Sequence, residues 1–144
     1  HALATTEKTE ETTFDIVIML QPTSPTRKPY HIENAIKHLV ENNFDSVWTL
    51  SKTDSKYHPK KQLTLNDNEF NYYEQDGGNI IARQQLKDVY HRNGICYVFT
   101  RDCIINHKNI KGNRSGYLLI KEPSISIDTE ADLLKAEKLL EIKW

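Results

Sequence analysis

An amide on a stiff loop is the first group in this sequence with chemical potential. Gln21 opens the run Gln21-Pro22-Thr23-Ser24-Pro25-Thr26-Arg27, and prolines at 22, 25 and 29 restrict the backbone around it. An amide donates and accepts, which suits a polyhydroxylated ligand. A purely structural turn is the plain alternative for the same residues. A second group stands at Arg83-Gln84-Gln85, followed by Tyr90, Arg92 and Asn93. Arginine offers a planar fork that matches carboxylate or phosphate. An isolated arginine is usually solvated surface charge, but here two arginines gather with amides directly ahead of an apolar run. A third is Asp128, at the end of Ser124-Ile125-Ser126-Ile127-Asp128 and just before a helical pattern. A carboxylate there can hold Mg²⁺ against phosphate oxygens. It can equally complement a helix N-terminus, worth about 0.3–1 kcal/mol. The six histidines show no metal-ligand spacing, and His31 and His38 read as surface or boundary positions. Cys96 and Cys103 read as buried thiols.

These groups need elements to hold them. Residues 14–20, FDIVIML, form an apolar run without clean alternation, which predicts a strand covered on both faces. In 30–43, Ile32, Ala35, Ile36, Leu39 and Val40 recur at helical spacing. Residues 45–50 read as a second strand, so the stretch predicts a right-handed βαβ crossover of a parallel sheet. Gln21 then follows the carboxyl end of a strand, where open α/β sheets place their ligands. Residues 94–100 read as a third buried strand, 102–107 as a short helix and 115–121 as a strand. Residues 130–142 read as an amphipathic helix, capped by Thr129 with Asp132 three residues on. Residues 1–13 read as the end of a helix or as a frayed polar leader. Residues 51–90 change character: Lys, Asn, Asp and Gln dominate, with Tyr57, Phe70, Tyr72 and Tyr73 interspersed. Strands at 61–65 and 70–74 would flank 66–69 as a hairpin. The segment reads as an excursion from the main sheet whose aromatics bury against a partner chain. The expected class is α/β: a mostly parallel sheet in one domain over 1–144, interrupted by the excursion at 51–90.

Composition bounds the function. A chain of 144 residues fits one domain. Lys and Arg number 19 against 20 Asp and Glu, a net charge of -1, which argues against a nucleic-acid or membrane-surface protein. The longest apolar run, 16–20, is far too short to span a bilayer. Two cysteines supply no disulfide framework. Residues 1–13 carry no secretory leader pattern, so a cytoplasmic location is expected. The hydrophobic fraction of 38% is low for a compact domain.

Three motifs then stand in order: MLQPTSPTR at 19–27, RQQLKDVYHRNGICY at 83–97 and SISIDTEADLLKAE at 124–137. Together they resemble the acylneuraminate cytidylyltransferases, the CMP-sialic acid synthetases, whose relatives act on legionaminic or pseudaminic acid. The resemblance spans 14–140. It implies a Rossmann-like nucleotidyltransferase fold. It also implies a reaction in which the anomeric hydroxyl of a 2-keto nonulosonic acid attacks the α-phosphate of CTP and displaces pyrophosphate, with Mg²⁺ neutralising charge. On that likeness Gln21 contacts sugar hydroxyls, and Arg83, with Gln84 beside it, pairs with the sugar carboxylate. Asn93 and Tyr97 line the sugar pocket and Asp128 binds metal. The likeness further implies a homodimer in which 51–90 is the dimerisation excursion and carries Arg83 towards the neighbouring subunit.

The chain departs from the family at several points. Ser126 stands where the family often has Asp, Thr26 where it has Leu, and Lys87 where it has Pro. The family's opening strand and its glycine- and lysine-rich CTP loop have no counterpart. The resemblance therefore implies a sugar-binding and dimerisation part, inactive alone, of an enzyme whose nucleotide-binding part precedes it. Two other functions fit the same residues: a nucleotidyltransferase for a sugar phosphate and another NTP, and a non-catalytic oligomerisation module.

Overall fold

The computed structural model describes residues 1–141. The chain forms two compact units, one of His1–Leu50 with Arg92 onwards and one of Ser51–His91. Their boundaries fall within strands β2 (Ser46–Lys52) and β5 (Tyr90–Thr100).

The first unit opens on helix α1 (Ala2–Thr9), followed by strand β1 (Ile16–Met19) and helix α2 (Pro29–Glu41). Pro29 occupies the first helical position, where a missing N–H costs nothing. The imidazole of His31 turns back so that its Nδ1 accepts the Lys28 N–H at 3.2 Å, satisfying a donor at the helix start. After β2 and β5 come the short helix α3 (Arg101–Ile105), strand β6 (Ser115–Leu119) and helix α4 (Glu130–Leu140). Thr129 caps α4: its hydroxyl accepts the Asp132 N–H at 3.3 Å and donates to the Asp132 carboxylate at 2.7 Å. The Lys135 ammonium, foremost, and the Thr129 hydroxyl hold the Asp132 carboxyl down at about 2.

The sheet order is β1-β5-β2-β6. β2 and β6 run parallel, with Val47 opposite Gly116 and Leu50 opposite Leu119. β1 and β5 run antiparallel, with Ile16 opposite Thr100 and Met19 opposite Tyr97. The α/β class therefore holds, in a mixed sheet. β1 and β2 are not neighbours as a simple βαβ unit would make them, because β5 lies between. β5 is long and buried from Asn93 to Phe99, so it takes a central place and leaves β1 at the end of the order. This corrects the reading of 14–20 as a strand covered on both faces: Ile18 and Met19 are each 37% exposed.

Alternation along the strands builds two apolar layers. On one side, Val47, Cys96 and Val98 pack with Ala35 and Leu39 of α2. On the other, Tyr97 and Phe99 pack with Cys103 of α3, beside Val17, Trp48 and Ile110. Both cysteines are buried free thiols, and burial pushes Cys96 up to about 11. His31 is also buried, 2% exposed, which corrects its reading as a surface or boundary residue. The helical stripe puts it one residue before Ile32, on the flank that faces the core.

The second unit contains the expected hairpin, shifted inward: β3 (Leu63–Asn66) pairs antiparallel with β4 (Glu69–Tyr72), and Asn66 faces Glu69. Asp67 turns the corner at φ 52, a left-handed conformation that Asp tolerates. All eight strand residues of this hairpin are exposed.

Candidate functional site

Within the first unit, three stretches of sequence converge at one end of the sheet. The first is the proline loop that follows β1. It folds as successive turns, with Ser24 N–H donating to the Gln21 carbonyl at 3.3 Å and Arg27 N–H to the Ser24 carbonyl at 3.4 Å. The second is the start of the buried part of β5. There the Asn93 carboxamide oxygen accepts the Ile95 N–H at 3.2 Å, and Gly94 adopts φ 72. The third is the extended segment before α4, whose Ile127 N–H donates to the Thr23 carbonyl at 2.9 Å.

Arg27 ties the first stretch to the second. Its Nε donates to the Ile95 carbonyl at 2.5 Å, and one Nη donates to the Gln21 carbonyl at 2.5 Å and the Gly94 carbonyl at 3.5 Å. The Gln21 side chain lies in the space that a Cβ on Gly94 would fill. Gln21 is exposed. Beneath the loop, the hydroxyls of Ser24 and Thr26 and the His31 Nε2 are shut off from solvent and have no hydrogen-bond partner among the described residues.

The expected site residues of this unit thus fall into three situations. The Gln21 side chain approaches Gly94, and Asn93, the residue before it, holds the Ile95 N–H. Asp128 is exposed, one residue beyond the Ile127 anchor and one before the α4 cap. Tyr97 is 3% exposed and packs edge-on against Trp48, ring centroids 5.6 Å apart, inside the second apolar layer. Its ring is a core side chain here. Among the described residues no three His, Cys, Asp or Glu side chains gather as a metal cluster. Asp128 is an exposed hard-oxygen donor, and Mg²⁺, which keeps waters, is often held by only one or two carboxylates.

In the second unit Arg83 and Gln84 lie exposed in a 3-10 turn, Arg83–Gln85. Gln85 fixes this turn: its side-chain oxygen accepts the N–H groups of Ile81 and Ala82, each at 2.8 Å. Arg83 lines a hollow of about 430 Å³ with Lys52, Thr53, His58, Lys87 and Asp88. Lys52 is neutralised by Asp88 at 2.7 Å, and His58 meets the Lys87 carbonyl at 3.1 Å. Among the described residues the Arg83 guanidinium is engaged by no carboxylate, so its fork is open to an anion.

Sequence reasoning missed Arg27 and Gly94. Arg27 ended a motif read for its glutamine and prolines. Gly94 followed an asparagine read for its amide. The signals were present, an arginine closing a proline loop and a glycine opening a buried strand, but their partners lie 67 and 68 residues away along the chain for Arg27.

No family model matches the chain. It is 28% identical over 118 residues to an N-acylneuraminate cytidylyltransferase of Streptococcus agalactiae, covering 81% of this chain and 28% of that protein. It is 31% identical over 141 residues to a CMP-N,N'-diacetyllegionaminic acid synthase of Legionella pneumophila, covering 90% of this chain and 55% of that protein. Its fold matches a CMP:2-keto-3-deoxy-manno-octonic acid synthetase complexed with CTP, with a TM-score of 0.59 at 15% identity. That match covers 94% of this chain and 65% of that one. The chain spans between 28% and 65% of the proteins named here. The chain is thus similar in sequence to N-acylneuraminate and CMP-legionaminic acid cytidylyltransferases, and in fold to a CMP-sugar synthetase, over part of the length of those proteins.

Proposed function

We propose that this chain is the sugar-binding and dimerisation part of a nucleotidyltransferase that joins CTP to a 2-keto nonulosonic acid, giving the CMP-sugar and pyrophosphate. The observation that carries the proposal is the convergence of the proline loop, the Asn93-Gly94 strand entry and the segment ending at Asp128. It brings parts of all three family motifs to one place, presenting an amide for hydroxyls and a carboxylate for a phosphate-bound cation.

Each residue then has a role. Gln21 hydrogen-bonds sugar hydroxyls, and Asn93 supports the same pocket. Tyr97 supports the pocket from beneath, through its packing on Trp48. Arg83 receives the sugar carboxylate through its fork, with Gln84 beside it. Asp128 holds the Mg²⁺ that accompanies the nucleotide phosphates. When bound, that ion would neutralise charge on the phosphates as pyrophosphate leaves.

The second unit supports a homodimer. Leu65 is 81% exposed, Phe70 64% and Tyr73 65%. A two-stranded hairpin has no core of its own and is marginal in water, so burial against a second copy gives these side chains a purpose. In that dimer Arg83 serves the sugar held by the neighbouring copy.

The choice between a sugar acid and a sugar phosphate is tested through Arg83. Titrations of N-acetylneuraminate and of a hexose 1-phosphate into the wild-type chain and Arg83→Ala are compared. The sugar acid is expected to bind, and the variant to weaken it about tenfold or more, the loss of a charge-assisted pair. Binding of the sugar phosphate alone would move the function to that second substrate class.

A further inference from the structure

Gln21 is held from two directions by residues to which neither the resemblance nor the reading above gives a role. From behind, the Arg27 fork is turned inward, taking the carbonyls of Gln21, Gly94 and Ile95. Two chain segments are thereby locked at the backbone of Gln21 itself. From the side, Gly94 removes the obstacle to its side chain. A Cβ on Gly94 would land on the Gln21 amide oxygen, 2.9 Å from the Ser24 hydroxyl and 3.1 Å from Gln21 Cδ. The oxygen end of the amide is seated against the Gly94 backbone and Cδ lies further out, so the NH₂ end is left to donate. Among the described residues that amide takes no hydrogen-bond partner of its own.

We infer that Arg27 and Gly94 are positioning residues that present the Gln21 amide, NH₂ outward, to an acceptor oxygen of the ligand. The inference rests on the proposed role of Gln21 in binding a sugar hydroxyl. Lysine in place of Arg27 keeps the charge but is a single point donor, and it cannot span two segments. A side chain at Gly94 that tolerates left-handed backbone, such as Asn, keeps φ but displaces the amide. The ordering has a purpose in binding: an amide already held in place loses little rotamer freedom when a hydroxyl arrives.

The test is ¹⁵N relaxation on the side-chain amide of Gln21 in the full chain. The signal is assigned by its loss in Gln21→Glu. In the wild type its order parameter is expected near the rigid range, about 0.8, and in Arg27→Lys and Gly94→Asn below about 0.6. Backbone amides of α4 serve as the internal control for global folding and should not change. A wild-type amide already below about 0.6 overturns the inference without any variant. So does an amide that stays rigid in either variant that folds. A second readout is N-acetylneuraminate affinity in Gln21→Ala, Arg27→Lys and the double variant. Each single change should weaken binding about three- to tenfold, the range of one hydrogen bond, with no further loss in the double. Additive losses would overturn the inference. If the sugar acid fails to bind the wild type, the functional reading falls while the relaxation result still decides the positioning.

Discussion

The His31 imidazole accepts the Lys28 N–H at Nδ1, so its proton sits on Nε2, a buried atom with no hydrogen-bond partner among the described residues. Charging that ring would add a proton at Nδ1 and break the bond that starts α2. Burial accordingly lowers its pKa from the ordinary 6.5, with Glu122 pulling the other way and Lys28 adding to the depression. The sign follows from proton counting. Between the depressed folded value and 6.5 the unfolded chain binds more protons, so stability falls as pH drops through that window and levels off below it. Urea unfolding at pH 7.5 and 5.5 should show lower stability at the acid end. His31→Asn, which keeps an acceptor for the Lys28 N–H, should flatten the difference. An unchanged slope in the variant would remove His31 from the account. At the same scale, some candidate residues could be singled out from the sequence and other contacts could not. Gln21, Arg83 and Asp128 announce themselves by residue type on a loop, before a strand and before a helix. The Arg27 clamp and the buried His31 Nε2 depend on contacts that only the fold creates.

Elements followed from local pattern wherever the signal was local. Thr129 with Asp132 gave the start of α4, and Asn66 to Glu69 gave the hairpin turn, because caps and turns are decided within four residues. Replacing Thr129 by Ala should lower stability by about 1 kcal/mol and fray the first turn of α4, read by amide exchange at Asp132 and Leu133. β1 was misjudged as fully covered because its four apolar residues say nothing about which strand lies beside them. The centre of the sheet went to β5, whose run of buried residues is longer. At the other end of the chain, α1 is anchored by one specific contact. Arg101 reaches Glu7 with Nε at 2.7 Å and Nη2 at 3.0 Å, and Glu7 also accepts the Phe14 N–H. No residue of α1 is buried, so little else holds it. Glu7→Ala should therefore raise amide exchange across α1 and leave α2 and the sheet protected. Protection of α1 that survives the change would mean the helix is held by packing instead.

At the scale of the whole molecule, the exposed hairpin is the feature that asks for a second copy. Sedimentation is expected to show a dimer, and Leu65→Glu with Phe70→Glu a monomer that retains the four-stranded sheet by circular dichroism. A monomeric wild type would leave those side chains without the partner assigned to them. The polar composition of 51–90 set this segment apart in the sequence, and it folds as the separate unit Ser51–His91. The proposed function, binding of a 2-keto sugar acid whose carboxylate Arg83 receives, is met most directly by calorimetric titration of N-acetylneuraminate into the chain. N-acetylmannosamine, which shares the amide and several hydroxyls but has no carboxylate, serves as the comparison. Saturable binding of the acid that weakens about tenfold or more in Arg83→Ala, with little or no binding of the neutral sugar, is the expected result. Equal binding of both sugars, or binding of neither, would contradict it.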